Sequence, residues 1–248
     1  MRKTVRIIVT ILFFICSGTS AYFACKVYQA EKENKESADV YDVIATQASS
    51  REEKDSAEDP EYPDVDMAYL RSQNKDAAGW IFSPGTVIDY PVVQGNDNDY
   101  YLEHLFDGSA NANGCIFIDC GNREPFKDDN TIIYGHHMKS GAMFASLTQY
   151  DLPEYYREHP YLYFINGDGV YKIELFAGYS AAVEDDFHRF NFTDESDFSS
   201  WLSYVQSRSD FKAQCQVNSD DKIVTLVTCA YVFEDARYVL HGRVLKIA

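Results

Sequence analysis

Three places in this chain carry the residue types that nucleophilic catalysis requires. Cys229 closes an apolar, β-branched run, and Arg237 opens the next alternating run, so we expect two strands joined by a short loop. A guanidinium beside a thiol stays charged, and it can lower the pKa of the thiol or bind a developing oxyanion. The segment 134–137 ends in His136 and His137, and by spacing alone either imidazole could serve as the general acid or base.

These residue types fit acyl transfer through a covalent intermediate. A thiolate attacks a carbonyl, a general acid protonates the leaving amine, and a donor stabilises the tetrahedral oxyanion. The competing interpretation is that Cys229 is a small buried residue of a strand. Four other histidines have no motif around them and are interpreted as ordinary surface or strand residues: His104, His159, His188 and His241.

The elements that must position these residues are mostly short strands. Apolar and β-branched runs predict strands at 80–82, 87–93, 115–119, 131–134, 161–165, 170–182 and in the two closing runs. Short helices are expected near 67–70, 142–147 and 153–159, and apolar residues at helical spacing predict a longer helix over 197–208. Since strands and helices do not alternate regularly, we expect a mainly β fold, a barrel or sandwich with helical additions.

The N-terminal 25 residues predict an export signal that remains in the membrane. Arg2, Lys3 and Arg6 precede an uncharged, mostly apolar run over 7–25, close to the lower limit of roughly 17 residues for a membrane-spanning helix. The basic flank predicts a cytoplasmic N-terminus and an extracytoplasmic domain. Small residues near position 20 leave a cleaved signal peptide as the alternative, which the length of the apolar run disfavours.

The composition of the remaining chain limits the classes of partner that it can bind. Residues 26–65 are rich in charge and predict a solvated linker, although its first part could form a helix, with the folded domain over 66–248. A net charge of -17 without a basic patch argues against nucleic acid and against docking of the folded domain on an anionic membrane. Of the six cysteines, two lie in the apolar run, and the other four, Cys115, Cys120, Cys215 and Cys229, lack the paired short spacings of a zinc site, so we expect no metal there. A disulfide among these four is the alternative to small buried residues, which we favour.

The segment 225–229, Thr-Leu-Val-Thr-Cys, followed by Arg237, resembles the TLxTC-plus-arginine signature of sortases, the membrane-anchored cysteine transpeptidases of Gram-positive bacteria. The segment 129–138 resembles the histidine segment of that family, in which the histidine directly after the glycine is catalytic. This resemblance selects His136 over His137. The segments 79–81, 89–95 and 97–102, and the long helix before the cysteine strand, resemble class B members in particular.

The resemblance implies an eight-stranded sortase-type β-barrel with N-terminal helices and a helix in the connection before the cysteine strand. It implies cleavage of a sorting peptide of the Asn-Pro-x-Thr-x type, or a relative of it, after threonine, a thioester on Cys229, and transfer to an amine of a peptidoglycan precursor. His136 is then the acid and base, and Arg237 holds either the substrate backbone or the oxyanion. The resemblance also implies that no metal and no organic cofactor is needed. Five residues are expected to bind substrate: Asn98, Leu102, Tyr134, Val227 and Thr228. For Leu102 and Val227, a role in core packing is an equally good interpretation.

Two other classes of function stay open at this point. One is a cell-surface cysteine peptidase that uses the same three residues and releases its product to water. The other is a non-enzymatic surface-binding domain in which Cys229 is a core residue. An amine acceptor that diverts the product argues against the peptidase, and loss of activity in Cys229→Ala argues against the binding domain.

Overall fold

Eight strands close into a barrel that forms the body of the protein. The structure is a computed structural model that describes residues 2–50, 62–230 and 235–248. The barrel strands are β3 (Ala77–Phe82), β4 (Asp89–Val93), β5 (Ile116–Ile118), β6 (Asn130–Tyr134), β7 (Tyr161–Asn166), β8 (Gly169–Ala181), β9 (Lys222–Cys229) and β10 (Arg237–Lys246). Two further short strands, β1 (Ser49–Ser50) and β2 (Asp64–Val65), pair with each other outside the barrel.

The order of strands around the barrel is β10-β8-β7-β3-β4-β5-β6-β9, with β9 paired to β10. The pairs β4–β5 and β6–β9 are parallel, and the others are antiparallel. The helices are α1 (Arg2–Ala48), α2 (Met67–Gln73), α3 (Pro153–Glu158) and α4 (Glu195–Ser207), and 3₁₀ turns span Tyr100–Leu102, Ala145–Asp151 and Asp186–His188. The mainly β barrel expected from the sequence is therefore confirmed, including the helix before the cysteine strand.

Strand β9 is buried on both of its faces, which explains its continuous apolar run. Val224 and Leu226 belong to the barrel core, whereas Ile223 and Val227 pack on the other face, beneath α4. Helix α4 begins at an N-cap, Asp194, whose side chain accepts a hydrogen bond from the backbone N–H of the third helical residue. Its buried stripe is Phe198, Trp201, Leu202 and Val205, the period expected for one face of a helix.

The last turns of α1 lie within the stretch 26–65, where the sequence predicts a linker, and they pack against the barrel. Ser37, Tyr41, Ile44 and Ala48 are buried and recur every three or four residues, so they share one face of the helix. The Tyr41 hydroxyl donates a hydrogen bond of 2.7 Å to the carbonyl of Gly114. The folded unit therefore begins within α1, and the most charged part of the expected linker, 51–61, lies outside the described residues.

The N-terminal end of α1 is apolar, unlike the end that packs on the barrel. Among the described helices, α1 is the one long and apolar enough to cross a membrane by length and composition. Among the side chains described at this end, Leu12, Phe13 and Phe23 are more than half exposed. The same helix thus has an uncovered apolar end and a docked polar end.

Candidate active site

The strand register brings the three candidate catalytic residues to one end of the barrel. In the parallel pair β6–β9, Tyr134 lies opposite Val227. Cys229, the last residue of β9, follows Val227 by two residues, and His136 lies two residues beyond the end of β6. The N–H of Gly135 extends the ladder with a 3.1 Å hydrogen bond to the carbonyl of Val227. On the other side of β9, the antiparallel ladder pairs Cys229 with Arg237.

A groove of about 260 Å³ lies at this end of the barrel and is lined by all eight of the residues predicted for the site. They are His136, Cys229 and Arg237 together with Asn98, Leu102, Tyr134, Val227 and Thr228. Phe117 and Gly135 also line the groove, and the sequence prediction does not include them. The alternation of side chains along β5 assigns Phe117 to one face of the strand, but it does not indicate that this face lines the groove.

The imidazole of His136 is held by the backbone of the 3₁₀ turn. Its Nε2 lies 2.8 Å from the carbonyl oxygen of Leu102, and because a carbonyl only accepts, this nitrogen carries the proton. Nδ1 is then the ring nitrogen left for proton transfer. Gly114, at φ +59°, allows this arrangement, because a Cβ there would lie 2.5 Å from the carbonyl oxygen of Tyr101 and 3.0 Å from Cδ2 of His136.

The neighbouring histidine, His137, has a different partner. Its Nδ1 donates to the carbonyl oxygen of Cys229 at 2.9 Å, and its side chain does not line the groove. Consecutive residues at a strand end face opposite ways, so two adjacent histidines separate naturally into one groove residue and one packing residue. The sequence offers no signal for the contact between His137 and Cys229, since it joins segments far apart in the chain.

The guanidinium of Arg237 is fixed by the loop that precedes it. Nη1 donates to the carbonyl oxygens of Asp235 at 3.3 Å and Ala236 at 3.2 Å. The side chain of Arg237, which carries further N–H groups, lines the same groove as Cys229. A cation held in this way can stabilise negative charge that develops beside the thiol without further reorganisation.

The residues expected to bind substrate differ in exposure. Leu102 is 37% exposed, so it forms a wall of the groove rather than part of the core. Val227 and Thr228 are buried, and Val227 also packs with the cluster under α4. The Thr228 hydroxyl has no hydrogen-bond partner among the residues that the structure describes.

The cysteines lie in different environments. All six thiols are free. Cys115 is buried, and that burial raises its pKa to about 12, which keeps the thiol protonated and unreactive. Among the four cysteines outside the apolar run, the expectation of small buried residues holds for Cys115 and is wrong for the other three. Cys120 is exposed just beyond the end of β5, because the strand stops at Ile118, and Cys215 and Cys229 are only partly buried. Cys229 is the thiol that lies with an imidazole and a guanidinium in one groove.

Residues 81–245 match the sortase domain family. The chain belongs to the sortase family. It is 37% identical to sortase B of Listeria monocytogenes over 178 residues, which are 71% of this chain and 72% of that protein. It is 33% identical to sortase B of Staphylococcus aureus over 181 residues, 72% of this chain and 74% of that one. These relatives place it in class B, so this sortase is a cysteine transpeptidase of cell-wall sorting.

Solved structures of class B sortases share its fold. The Staphylococcus aureus sortase B–substrate complex aligns with a TM-score of 0.70 at 32% identity, covering 73% of this chain and 85% of that one. Sortase B from Bacillus anthracis in complex with AAEK1 aligns with a TM-score of 0.74 at 32% identity, covering 87% and 99%. Another solved structure is a sortase B complexed with triglycine, with a TM-score of 0.69 at 33% identity, covering 73% and 86%. Membership of this family removes the non-enzymatic binding domain as an interpretation.

Proposed function

We propose that this sortase cleaves a sorting peptide of the Asn-Pro-x-Thr-x type after threonine, with Cys229 as the nucleophile. The single observation that supports it best is the register of β9. It sets Cys229 beside Arg237 on one neighbouring strand, and it sets His136 at the matching position beyond the end of the other. Sortase B structures with a substrate and with triglycine are known, which supports a peptide donor and an amine acceptor here.

In the first half-reaction, the thiolate of Cys229 forms a bond to the threonine carbonyl carbon. Arg237 donates hydrogen bonds to the resulting oxyanion or to the adjacent peptide backbone. The peptide C–N bond then breaks, and His136 in its protonated form gives a proton to the leaving amine. The acyl group remains on Cys229 as a thioester.

In the second half-reaction, an amine of a peptidoglycan precursor attacks the thioester. His136, now neutral, accepts the proton of the attacking nitrogen through Nδ1, since Nε2 is engaged with Leu102. Collapse of the second tetrahedral intermediate expels the thiolate and restores the enzyme. The product carries a new amide bond, so no water is consumed in the cycle.

We further propose that residues 1–25 anchor the enzyme in the membrane with the catalytic domain outside the cell. Support comes from the exposed apolar end of α1 and from the basic residues before it, Arg2, Lys3 and Arg6. A single helix joins this end to the turns docked on the barrel. In this arrangement the groove stays close to lipid-linked peptidoglycan precursors.

The experiment that tests the reaction uses the full chain in detergent micelles and a panel of fluorogenic sorting peptides, with and without triglycine. We expect cleavage after threonine, an acyl adduct on Cys229 by mass spectrometry, and a triglycine-linked product. Cys229→Ala should lose at least about a thousandfold in rate and form no adduct. Cys215→Ala is the matched control, because this thiol is half-buried and bonded to the carbonyls of Glu174 and Leu175, away from the groove.

Two results would change the proposal. Cleavage with an adduct but without any triglycine-linked product would favour the cysteine peptidase, in which water accepts the acyl group. Cleavage that persists in Cys229→Ala would exclude Cys229 as the nucleophile.

A further inference from the structure

Asp119 is a half-buried carboxylate beside the groove, and its side chain joins two of the groove residues. One oxygen, Oδ2, accepts hydrogen bonds from Nδ2 of Asn98 at 3.1 Å and from the hydroxyl of Tyr134 at 2.9 Å. The other oxygen, Oδ1, accepts from the backbone N–H of Gly121 at 2.8 Å. The carboxylate is thus anchored on its own loop and holds two side chains that line the cavity with Cys229.

These bonds determine which atoms Asn98 presents. Its Oδ1 accepts from the backbone N–H of Cys120 at 2.8 Å, while its Nδ2 donates to Asp119. A flipped amide would set oxygen against carboxylate and nitrogen against N–H, so a single orientation is allowed. Nδ2 has two hydrogens, and one of them remains as a donor.

The same carboxylate determines what Tyr134 presents. Burial raises the pKa of the Tyr134 hydroxyl, and the nearby Asp119 carboxylate raises it further, so the hydroxyl keeps its proton and donates it to Asp119. Its oxygen lone pairs are then the part left for a ligand. Arg237 acts on the same hydroxyl in the opposite direction, lowering its pKa, so the catalytic cation is close enough to affect this group.

We propose that Asp119 is a positioning residue that fixes an N–H donor on Asn98 and an oxygen acceptor on Tyr134 to bind one amide of the sorting peptide. A peptide unit or a side-chain amide has a carbonyl acceptor and an N–H donor, so it complements this pair. Both protein atoms bond to one oxygen of Asp119, which holds them close enough to reach a single amide. The inference rests on the proposed function and names a specificity element of the same groove.

The test uses the full chain in detergent micelles and compares the wild type with Asp119→Asn, which keeps the shape but replaces a carboxylate oxygen by a donor. We expect kcat/KM for the cleaved peptide to fall about tenfold, the effect of losing a hydrogen bond to a charged group, and to fall mainly through KM. The rate of Cys229 alkylation by iodoacetamide should stay within twofold, because the nucleophile is untouched. Asp107→Asn is the matched control, since this exposed carboxylate also caps a loop, at Ser109, outside the catalytic groove.

Two further comparisons separate positioning from a general structural role. In a background of Asn98→Ala with Tyr134→Phe, Asp119→Asn should cost less than twofold, because the groups through which it acts are gone. A set of peptides that each carry one N-methylated amide provides a second comparison. For one of them, methylation should lower kcat/KM with the wild type but leave kcat/KM unchanged with Asp119→Asn. An unchanged KM, or an alkylation rate that falls with kcat/KM, or a full tenfold loss in the double-variant background, would overturn the inference.

Failure of the proposed function gives a different result. Peptide binding to Cys229→Ala, followed by fluorescence anisotropy, reports recognition without chemistry. If peptides bind and Asp119→Asn weakens that binding tenfold while no cleavage occurs in the wild type, the reaction is wrong and the role of Asp119 stands. A protein that neither cleaves nor binds any peptide of the panel contradicts both.

Discussion

At the scale of single residues, the adjacent histidines show how one step along the backbone separates two roles. His136 lines the groove and bonds the carbonyl of Leu102, whereas His137 bonds the carbonyl of Cys229 itself. The second contact joins the end of β6 to the last residue of β9. It therefore helps to hold Cys229 at the end of its strand.

We predict that His136→Ala lowers kcat/KM by two to four orders of magnitude, roughly the contribution of a positioned acid and base. His137→Ala should lower it only about tenfold, because it loosens the backbone at Cys229 without removing a group that transfers protons. Steady-state cleavage of one sorting peptide by both variants tests this, with the exposed His188→Ala as control. Equal losses in the two histidine variants would show that the assignment of roles is wrong.

His241 is a buried histidine that plays no part in the groove. Thr225 donates its hydroxyl to Asn130, so it accepts from Nδ1–H of His241 at 2.9 Å. The rings of Tyr179 and Trp201 pack against the imidazole. Burial lowers the pKa of His241 to about 3, and Nε2 has no hydrogen-bond partner within the part of the chain that the structure describes.

This burial predicts a specific acid sensitivity. The folded protein keeps His241 neutral, whereas the unfolded chain binds a proton at an ordinary histidine pKa of about 6.5, so stability falls as pH drops from about 6.5 towards 3. Between pH 7 and pH 5 the residue should lower the free energy of unfolding by about 2 kcal/mol. Urea denaturation at both pH values should show a smaller decrease for His241→Asn than for wild type, and His188→Asn should behave as wild type. The same decrease in His241→Asn would disprove this source of acid sensitivity.

At the scale of elements, the end of α1 belongs to the catalytic domain. Besides the bond from Tyr41 to Gly114, the side chains of Asn111 and Asn113 bond to residues 33 and 34 of the helix at 3.0 Å each. The loop clamped in this way includes Gly114, whose backbone lies against the ring of His136. Helix α1 and His136 thus both lie against the same loop.

We predict that a protein beginning at Tyr62 is less stable than one beginning at Lys26, by at least about 3 kcal/mol. The shorter protein exposes the surface that buries Tyr41, Ile44 and Ala48. Thermal unfolding should show a midpoint lower by at least about 6 °C in the shorter protein. Tyr41→Phe in the longer protein should lower stability by only about 1 kcal/mol, since it removes one hydrogen bond. Equal midpoints for the two truncated proteins would contradict the docking of α1.

At the scale of the whole molecule, charge and hydrophobicity are separated along the chain. The net charge is -17, while the first six residues include Arg2, Lys3 and Arg6 and the next nineteen are uncharged. An acidic domain is repelled by anionic lipids, so α1 is the element expected to hold the protein at a membrane.

We predict that deletion of residues 2–25 moves the protein from the membrane fraction to the soluble fraction. The deleted form should not sediment with vesicles of anionic phosphatidylglycerol, whereas the full chain should insert into them. In cells, protease added to spheroplasts should digest the catalytic domain of the full chain, because the basic N-terminus stays inside. Protection from that protease would contradict the proposed topology, and a shortened mature protein free of the membrane would favour a cleaved signal peptide.

The sequence by itself determined the features that local patterns encode. Helix α4 follows from the spacing of Phe198, Trp201, Leu202 and Val205, and the barrel strands follow from short apolar runs between turn residues. The Thr-Leu-Val-Thr-Cys segment and Arg237 similarly lie on consecutive strands, so their pairing was predictable. Family resemblance, rather than spacing, supplied the choice of His136.

Only the tertiary structure decided which distant segments meet. The parallel pairing of β6 with β9 sets the place of His136 beside Cys229, and the chain between those strands contains two other barrel strands and α4. The docking of α1 and the contacts of Asp119 with Asn98 and Tyr134 also join segments that are separated in the sequence. Local periodicity reports which face of an element is apolar, but the partner that covers this face is selected by packing of the whole barrel.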